Sequence, residues 1–288
     1  PPGRQPSFTS RMSQPWLKKK INALELYTID VILGRRADTG AAIYGACLQT
    51  LSWLFNGIVQ ARWWLYRHRI FHDQPLGCLV VVVGNLTVGG TGKTPTTLWL
   101  VRALRDAGLR VVILSRGHGR TNESVDPVMI VSDLRAVRVD NPEWSGDEPL
   151  HLAKSLPGTP VIVARNRRDS GDVAVAQFQP DVIVLDDGMQ YWQLHRDVEI
   201  CLLDARQPFG NGWMLPRGPL REPISHLSKS EVVVLTRADQ ASPESIAQLI
   251  SNIKARSPEI WVTQSSHVPI CWLSTDGQQG ALDEMKGL

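Results

Sequence analysis

Between Thr39 and Ala61 the chain runs 23 residues without a charge. Through this stretch and just beyond it, Ile43, Cys47, Leu51, Leu54, Ile58 and Leu65 recur at helical spacing, while Gln49, Ser52, Asn56 and Gln60 recur on the other side. That is the stripe of an amphipathic helix rather than of a helix apolar all round. Arg62, Trp63, Trp64, Tyr66, Arg67 and Arg69 follow, a basic and aromatic cluster suited to the headgroup zone of a bilayer. We read an interfacial helix. The same pattern also fits a helix whose stripe packs on the protein's own core, and the length alone permits a transmembrane span.

Beyond the helix, short unbroken runs of Val, Ile and Leu alternate with helical patterns. The runs are Cys78 to Val83, Arg110 to Leu114, Pro160 to Val163, Asp181 to Leu185, Val198 to Leu203, Glu231 to Leu235 and Ile260 to Val262. Such runs suit strands buried on both faces. The first intervening helix spans Thr94 to Ala107 and ends at Gly108, a C-terminal cap. Strand and helix in repetition predict an α/β fold with a mostly parallel, helix-covered sheet, preceded by the amphipathic helix. Residues 12–75 form the membrane-associating segment in this reading and 76–288 the α/β domain. Residues 1–11, polar and preceding Met12, read as a tag or upstream extension.

Composition changes this picture in one respect. The net charge is only +3, yet residues 1–72 hold ten Lys/Arg against Glu25, Asp30 and Asp38, which leaves +7 there and −4 in the rest. A basic, Trp-rich N-terminal segment predicts an anionic lipid surface as partner. Nucleic acid is excluded because the charge is interleaved with an apolar stripe instead of forming an exposed basic face. Cys47, Cys78, Cys201 and Cys271 lie far apart, so neither a disulfide framework nor a zinc knuckle is expected, and a reducing compartment fits.

The chemistry starts where the strand at Val80 to Val83 runs into Gly84-Asn85-Leu86-Thr87-Val88-Gly89-Gly90-Thr91-Gly92-Lys93-Thr94-Pro95. Strand, glycine-rich loop and helix are the setting of a P-loop, in which backbone N–H groups and a helix N-terminus converge on a triphosphate. Thr87 through Thr94 form the expected nucleotide cradle (Thr87, Val88, Gly89, Gly90, Thr91, Gly92, Lys93, Thr94). Lys93 would reach the β and γ phosphates and the Thr94 hydroxyl would ligate Mg²⁺. Thr87 stands where the usual pattern begins with glycine. The second acidic element of a P-loop site is expected at the end of Asp181-Val-Ile-Val-Leu-Asp186-Asp187-Gly188, where Asp186 or Asp187 would hold the metal.

Arg116, Arg120, Arg165, Arg167 and Arg168 follow strands, at the sheet edge where open α/β folds bind ligands. Arginine there suits phosphate oxygens, beside the plainer reading of solvated surface. Asp147 reads either as a helix cap or as a carboxylate at the site. Met189, Trp192 and Trp213 read either as acyl-chain contacts or, being isolated apolar residues, as core, and His195 and His226 as structural.

Taken in order, the P-loop segment, Leu114-Ser115-Arg116-Gly117-His118-Gly119-Arg120, Gly146-Asp147-Glu148-Pro149, Leu185-Asp186-Asp187-Gly188-Met189-Gln190, Phe209-Gly210-Asn211-Gly212-Trp213 and Pro216-Arg217-Gly218-Pro219-Leu220-Arg221-Glu222-Pro223 resemble the tetraacyldisaccharide 4'-kinase family, over about residues 78–240. Thr87 in place of glycine also resembles that family. The resemblance implies transfer of the ATP γ-phosphate to the 4' hydroxyl of a lipid-linked glucosamine disaccharide 1-phosphate at the cytoplasmic face of a bacterial inner membrane. It implies Asp147 as catalytic carboxylate, Arg167 and Arg221 as anion contacts, and Glu222 as a metal-side carboxylate. The family's Asp-His-His motif nearer the C-terminus has no match before Leu288. The chain is therefore expected to be C-terminally incomplete, binding nucleotide but turning over poorly.

Two rival readings have specific weaknesses. A membrane-targeted ATPase switch of the deviant Walker type needs a lysine where Val88 stands. A GTPase finds a faint echo in Leu235-Thr236-Arg237-Ala238-Asp239, but Arg237 replaces the lysine of that guanine-reading strand end.

Overall fold

The computed structural model describes residues 15–36, 38–121, 123, 126–268, 271–274 and 279–280; the expected extension at residues 1–11 lies outside them. The chain opens with two helices, α1 (Pro15–Ile32) and α2 (Thr39–Arg67). Asp38 caps α2, its side chain accepting a hydrogen bond from Ala41 N at 2.9 Å. The two helices meet through Val31, Ala41 and Leu48, and Thr28 Oγ1 shares a hydrogen bond with the Tyr44 hydroxyl at 2.9 Å.

The predicted strands follow as β1 (Leu79–Asn85), β2 (Val111–Ser115), β4 (Val161–Ala164), β5 (Val182–Asp186), β6 (Val198–Asp204), β7 (Val232–Thr236) and β8 (Trp261–Gln264). An eighth, β3 (Val128–Ser132), was not expected from the sequence. They form one sheet in the order β3-β4-β2-β5-β1-β6-β7-β8. Every pairing is parallel except β3 with β4, so β3 closes one edge as an antiparallel strand. Between the strands lie α3 (Lys93–Asp106), α4 (Pro142–Ser145), α5 (Asp147–Ser155), α6 (Arg167–Phe178) and α7 (Pro243–Arg256).

Strand side chains alternate between two cores. Val80, Val82, Val112 and Leu114 join Ala174 of α6 and Ile246 and Leu249 of α7, whereas Val83, Val111 and Ile113 join Val101 of α3 and Leu150 of α5. Both faces are thereby covered, which is why these strands read as unbroken apolar runs.

Helix α2 lies on the first face, but its polarity is the reverse of a core helix. Ser52 is buried and its hydroxyl donates to Met214 O at 2.8 Å, and Gln60 reaches His226. Ile43, Leu51, Leu54 and Ile58 are 51–63% exposed. The alternative in which the apolar stripe packs on the core is thus overturned. Part of the following cluster docks inward as well: Arg62 lies over Trp192, Tyr66 meets Trp192 edge-on and Trp63 packs on His226, while Trp64, Arg67 and Arg69 remain exposed. Among the described residues α2 is the one helix long and apolar enough to cross a membrane.

Candidate active site

Strand β1 ends at Asn85, and the loop it feeds carries the chain to the start of α3 at Lys93. Gly92, with φ +84°, makes that entry in the left-handed region that favours glycine. Asn85 is wholly buried, and its Nδ2 donates to Thr87 O at 2.6 Å. Its Oδ1 accepts from Lys93 Nζ at 3.3 Å, so one side-chain amide ties the loop's entry to the lysine at its exit. The far wall comes from β7: Thr236 Oγ1 donates to Thr91 O at 3.0 Å and Arg237 Nη2 to Gly90 O at 2.8 Å.

These contacts frame a cleft of about 370 Å³ lined by Gly89 to Pro95 with Glu148, Arg237 and His267. Within it Thr91 Oγ1 is buried without a hydrogen-bond partner. An orphan hydroxyl in a glycine-rich loop, a half-buried lysine and a nearby pair of carboxylates fit a polyphosphate with a hard cation, because phosphate takes N–H and O–H donors and Mg²⁺ takes oxygen ligands.

The two adjacent aspartates, indistinguishable in sequence, have different surroundings. Asp186 ends β5 with 3% exposure; Thr97 Oγ1 donates to it at 3.3 Å and Ser115 Oγ at 3.4 Å. Burial, then the neighbouring Glu148 and Asp187 carboxylates, push its pKa up to about 6. Asp187 sits at φ +47°, which a short polar side chain tolerates. Burial alone would raise its pKa, but the hydrogen bonds and charge of Arg221, with Lys93 and Arg167, outweigh that and hold it down. Lys93 Nζ lies 3.9 Å from Asp187 Oδ1.

Arg167 is 5% exposed at the start of α6, and its Nη2 donates to the carbonyls of Asp186 at 3.3 Å and Asp187 at 3.4 Å. Burial lowers its pKa, and Arg116 is one of the charges it feels. Arg221 grips Asp187 and also donates to Asn85 Oδ1 and to Asn85 O. Asp147 and Glu148 form the exposed first turn of α5, whose leading Gly146 packs on the Gly117–His118 backbone. The structure therefore gathers Lys93, Thr94, Asp186, Asp187, Arg167 and Arg221 at one end of the sheet, with Arg116 on the loop after β2 and Asp147 at the start of α5.

Two expectations are corrected. Glu222 is not on the metal side: it is 2% exposed, just before the turn Ile224–Lys229, and bonded to that turn's His226 Nδ1 at 2.6 Å and Lys229 Nζ at 3.4 Å. Arg120 is not a free phosphate contact, because its guanidinium is spent on the carbonyls of Val163, Asp126 and Pro127, where it braces the loop after β2. Arg168 is likewise tied to Gln74 at 2.9 Å, and His195 pairs with Asp73 away from the cleft. Sequence reasoning gave no role to Asn85, Glu148 or His267. The first two lie inside quoted motifs and were legible there; His267 carries no local signal.

The family model of tetraacyldisaccharide-1-P 4'-kinase matches residues 44–287. The chain belongs to this family. It is 44% identical over 202 residues to the tetraacyldisaccharide 4'-kinase of Syntrophobacter fumaroxidans, covering 70% of this chain and 51% of that protein. With the Geobacter sulfurreducens enzyme of the same name it shares 39% identity over 222 residues, 77% of this chain and 62% of the relative. Against these relatives the chain spans between half and two-thirds of their length. With the Halothermothrix orenii enzyme of that name the figures are 34% identity, 92% and 71%. The crystal structure of the "apo" form of LpxK from Aquifex aeolicus in complex with ATP superposes with a TM-score of 0.66 at 30% identity, over 85% of this chain and 71% of that one. Family membership and the mostly parallel sheet agree.

Proposed function

We propose that the protein transfers the γ-phosphate of ATP to the 4' hydroxyl of a tetraacyldisaccharide 1-phosphate. The observation that carries this reading is the convergence of Lys93, Asp186 and Asp187 on the P-loop cleft, beside the carboxylates that open α5, in a chain of this family.

Phosphoryl transfer needs charge neutralisation, in-line positioning and an acceptor for the hydroxyl proton. Loop amides from Thr87 to Thr94 and the Lys93 ammonium cradle the β and γ phosphates. Thr94, Asp186 and Asp187 would hold Mg²⁺, which neutralises phosphate charge when bound. Arg221 fixes the Asp187 carboxylate, and Arg167 braces the backbone beneath both aspartates. Arg116, exposed just after β2, would contact transferring or acceptor phosphate. Asp147 takes the proton of the attacking hydroxyl or orients it.

Residues 12–75 serve as the membrane-associating segment and 76–288 as the catalytic domain. The exposed stripe of α2 enters the cytoplasmic face of the inner membrane, which confines the enzyme to the plane of its lipid substrate. The test is to incubate the protein with Mg·ATP and detergent-dispersed tetraacyldisaccharide 1-phosphate and analyse the lipid by mass spectrometry. One added phosphate on the distal sugar supports the proposal; unmodified lipid beside released inorganic phosphate points to an ATPase.

A further inference from the structure

A cavity of about 300 Å³ opens where α2 ends, between Trp63 and Tyr66 of that helix and Trp192, Arg196 and Lys229 of the sheet domain. It lies at the starting end of the parallel strands, since Glu199 on its wall is at the start of β6 and Lys229 stands just before β7. The P-loop and the paired aspartates occupy the finishing end, so this cavity has no part in the site described above.

Its wall carries Arg67, Arg69, Arg196 and Lys229 against Asp73 and Glu199, four positive charges against two negative. Both carboxylates are already engaged, Asp73 with His195 at 2.7 Å and Arg69 at 3.3 Å, Glu199 with Arg196 at 2.8 Å. The other two cations rest on aromatic rings. Arg67 lies over Trp63 at 5.1 Å and has no carboxylate partner among the described residues. Lys229 Nζ is 4.0 Å from the centre of the Trp192 ring and shares Glu222, behind the wall, with His226. A ring face balances a cation only in part, and burial, incompletely offset by Glu222 and Glu199, lowers the Lys229 pKa to about 8. The cavity is short of negative charge.

The surroundings of its mouth select the kind of anion. Phe71 packs edge-on against Tyr66, and Trp64 and Ile70 are chain neighbours of the lining residues Trp63 and Arg69. These three side chains are 47–53% exposed and follow the exposed stripe of Leu54 and Ile58 along the chain. A free phosphate gains nothing from apolar neighbours, whereas the glyceryl and acyl part of a phospholipid does.

Building on the membrane reading of α2 above, we infer that this cavity seats the headgroup phosphate of one anionic phospholipid, held by Arg67, Arg69 and Lys229, with the lipid's apolar part against Ile70 and Phe71. The basic and aromatic cluster at the end of α2 then binds a single lipid in a defined place, apart from the substrate, rather than attracting a charged surface diffusely.

Native mass spectrometry of the protein released from detergent micelles tests this with dioleoyl phosphatidylglycerol, dioleoyl phosphatidylcholine and glycerol 3-phosphate as probes. Phosphatidylglycerol should be retained as a one-to-one adduct and phosphatidylcholine at least ~10-fold more weakly, and excess glycerol phosphate should leave the adduct in place. The adduct should weaken at least ~10-fold in Arg67→Ala/Arg69→Ala and at least ~5-fold in Lys229→Met. Arg35→Ala/Arg36→Ala, which takes the same charge from the turn before α2, should change it less than ~2-fold. ATP affinity measured alongside reports that each variant is folded. Equal retention of the two lipids, or an adduct as strong in both cavity variants as in wild type, overturns the site. Displacement by glycerol phosphate overturns the lipid in favour of a free phosphate ester. An adduct absent from wild type overturns the headgroup site alone, whereas vesicle binding that survives Leu54→Glu/Ile58→Glu overturns the membrane reading of α2.

Discussion

Arg221 clasps Asp187 with both branches of its guanidinium, Nη1 to Oδ2 at 3.1 Å and Nη2 to Oδ1 at 2.9 Å. A planar fork matched to a carboxylate fixes orientation as well as charge, which an ammonium does not. Because Arg221 also touches Asn85, which holds Lys93, the clasp links the acidic and basic halves of the cleft.

Arg221→Lys keeps the charge and loses the fork. Phosphoryl transfer should fall ~10- to 100-fold, the range seen when the partner orienting a metal-side ligand is lost. Steady-state rates at saturating Mg·ATP check this, and an unchanged rate would remove Arg221 from the machinery.

Asn85→Leu retains bulk but strips the hydrogen bonds to Thr87 O and Lys93. Leaving buried polar groups unpaired should cost about 1–3 kcal/mol, read as a shift in a denaturant midpoint. ATP affinity should weaken in parallel; full affinity would mean that Lys93 needs no such anchor.

Leu54 and Ile58 are 63% and 58% exposed on the outward side of α2. The double variant Leu54→Glu/Ile58→Glu should weaken partition onto anionic vesicles at least ~100-fold, since each apolar side chain contributes about 1.5–3 kcal/mol on leaving water. ATP affinity should not change. Vesicle sedimentation that shows equal binding would refute the interfacial role of this face.

Lys229 is held among Glu222, His226, Glu199, Arg196 and the Trp192 ring. Burial, partly offset by Glu222 and Glu199, lowers its pKa from 10.5 to about 8. Between those values the unfolded chain binds the proton and the folded chain does not, so this group's contribution to stability is fully present above about 10.5 and is lost as pH falls through about 8. Denaturant titrations should therefore show wild type gaining on Lys229→Met by roughly 2–3 kcal/mol from pH 8 to 10.5. A parallel pH dependence in the two proteins would contradict the shift.

The sheet was legible because strands covered on both faces must be apolar throughout, and the P-loop because its backbone geometry restricts residue choice. Strand β3 escaped because it lies at an edge, antiparallel, with alternating burial and a polar loop before it. The stripe on α2 announced two faces, but periodicity is blind to which one meets the protein; only the burial of Ser52 against Met214 decides that. Asp186 and Asp187 were inseparable in sequence because their difference arises from one left-handed backbone turn and from partners far along the chain. Glu222, which the resemblance had placed on the metal side with Arg221 as anion contact, differs because successive side chains here go to different partners, Asp187 for one and His226 for the other.

The central claim is tested most directly by following γ-labelled phosphate from Mg·ATP in mixed micelles of tetraacyldisaccharide 1-phosphate, using the protein that carries this sequence and its Lys93→Ala and Asp147→Asn variants. The account predicts label on the lipid with wild type, none with Lys93→Ala, and a ~100-fold or greater loss with Asp147→Asn at unchanged ATP affinity. Label released only as inorganic phosphate, at a rate indifferent to lipid, would contradict it.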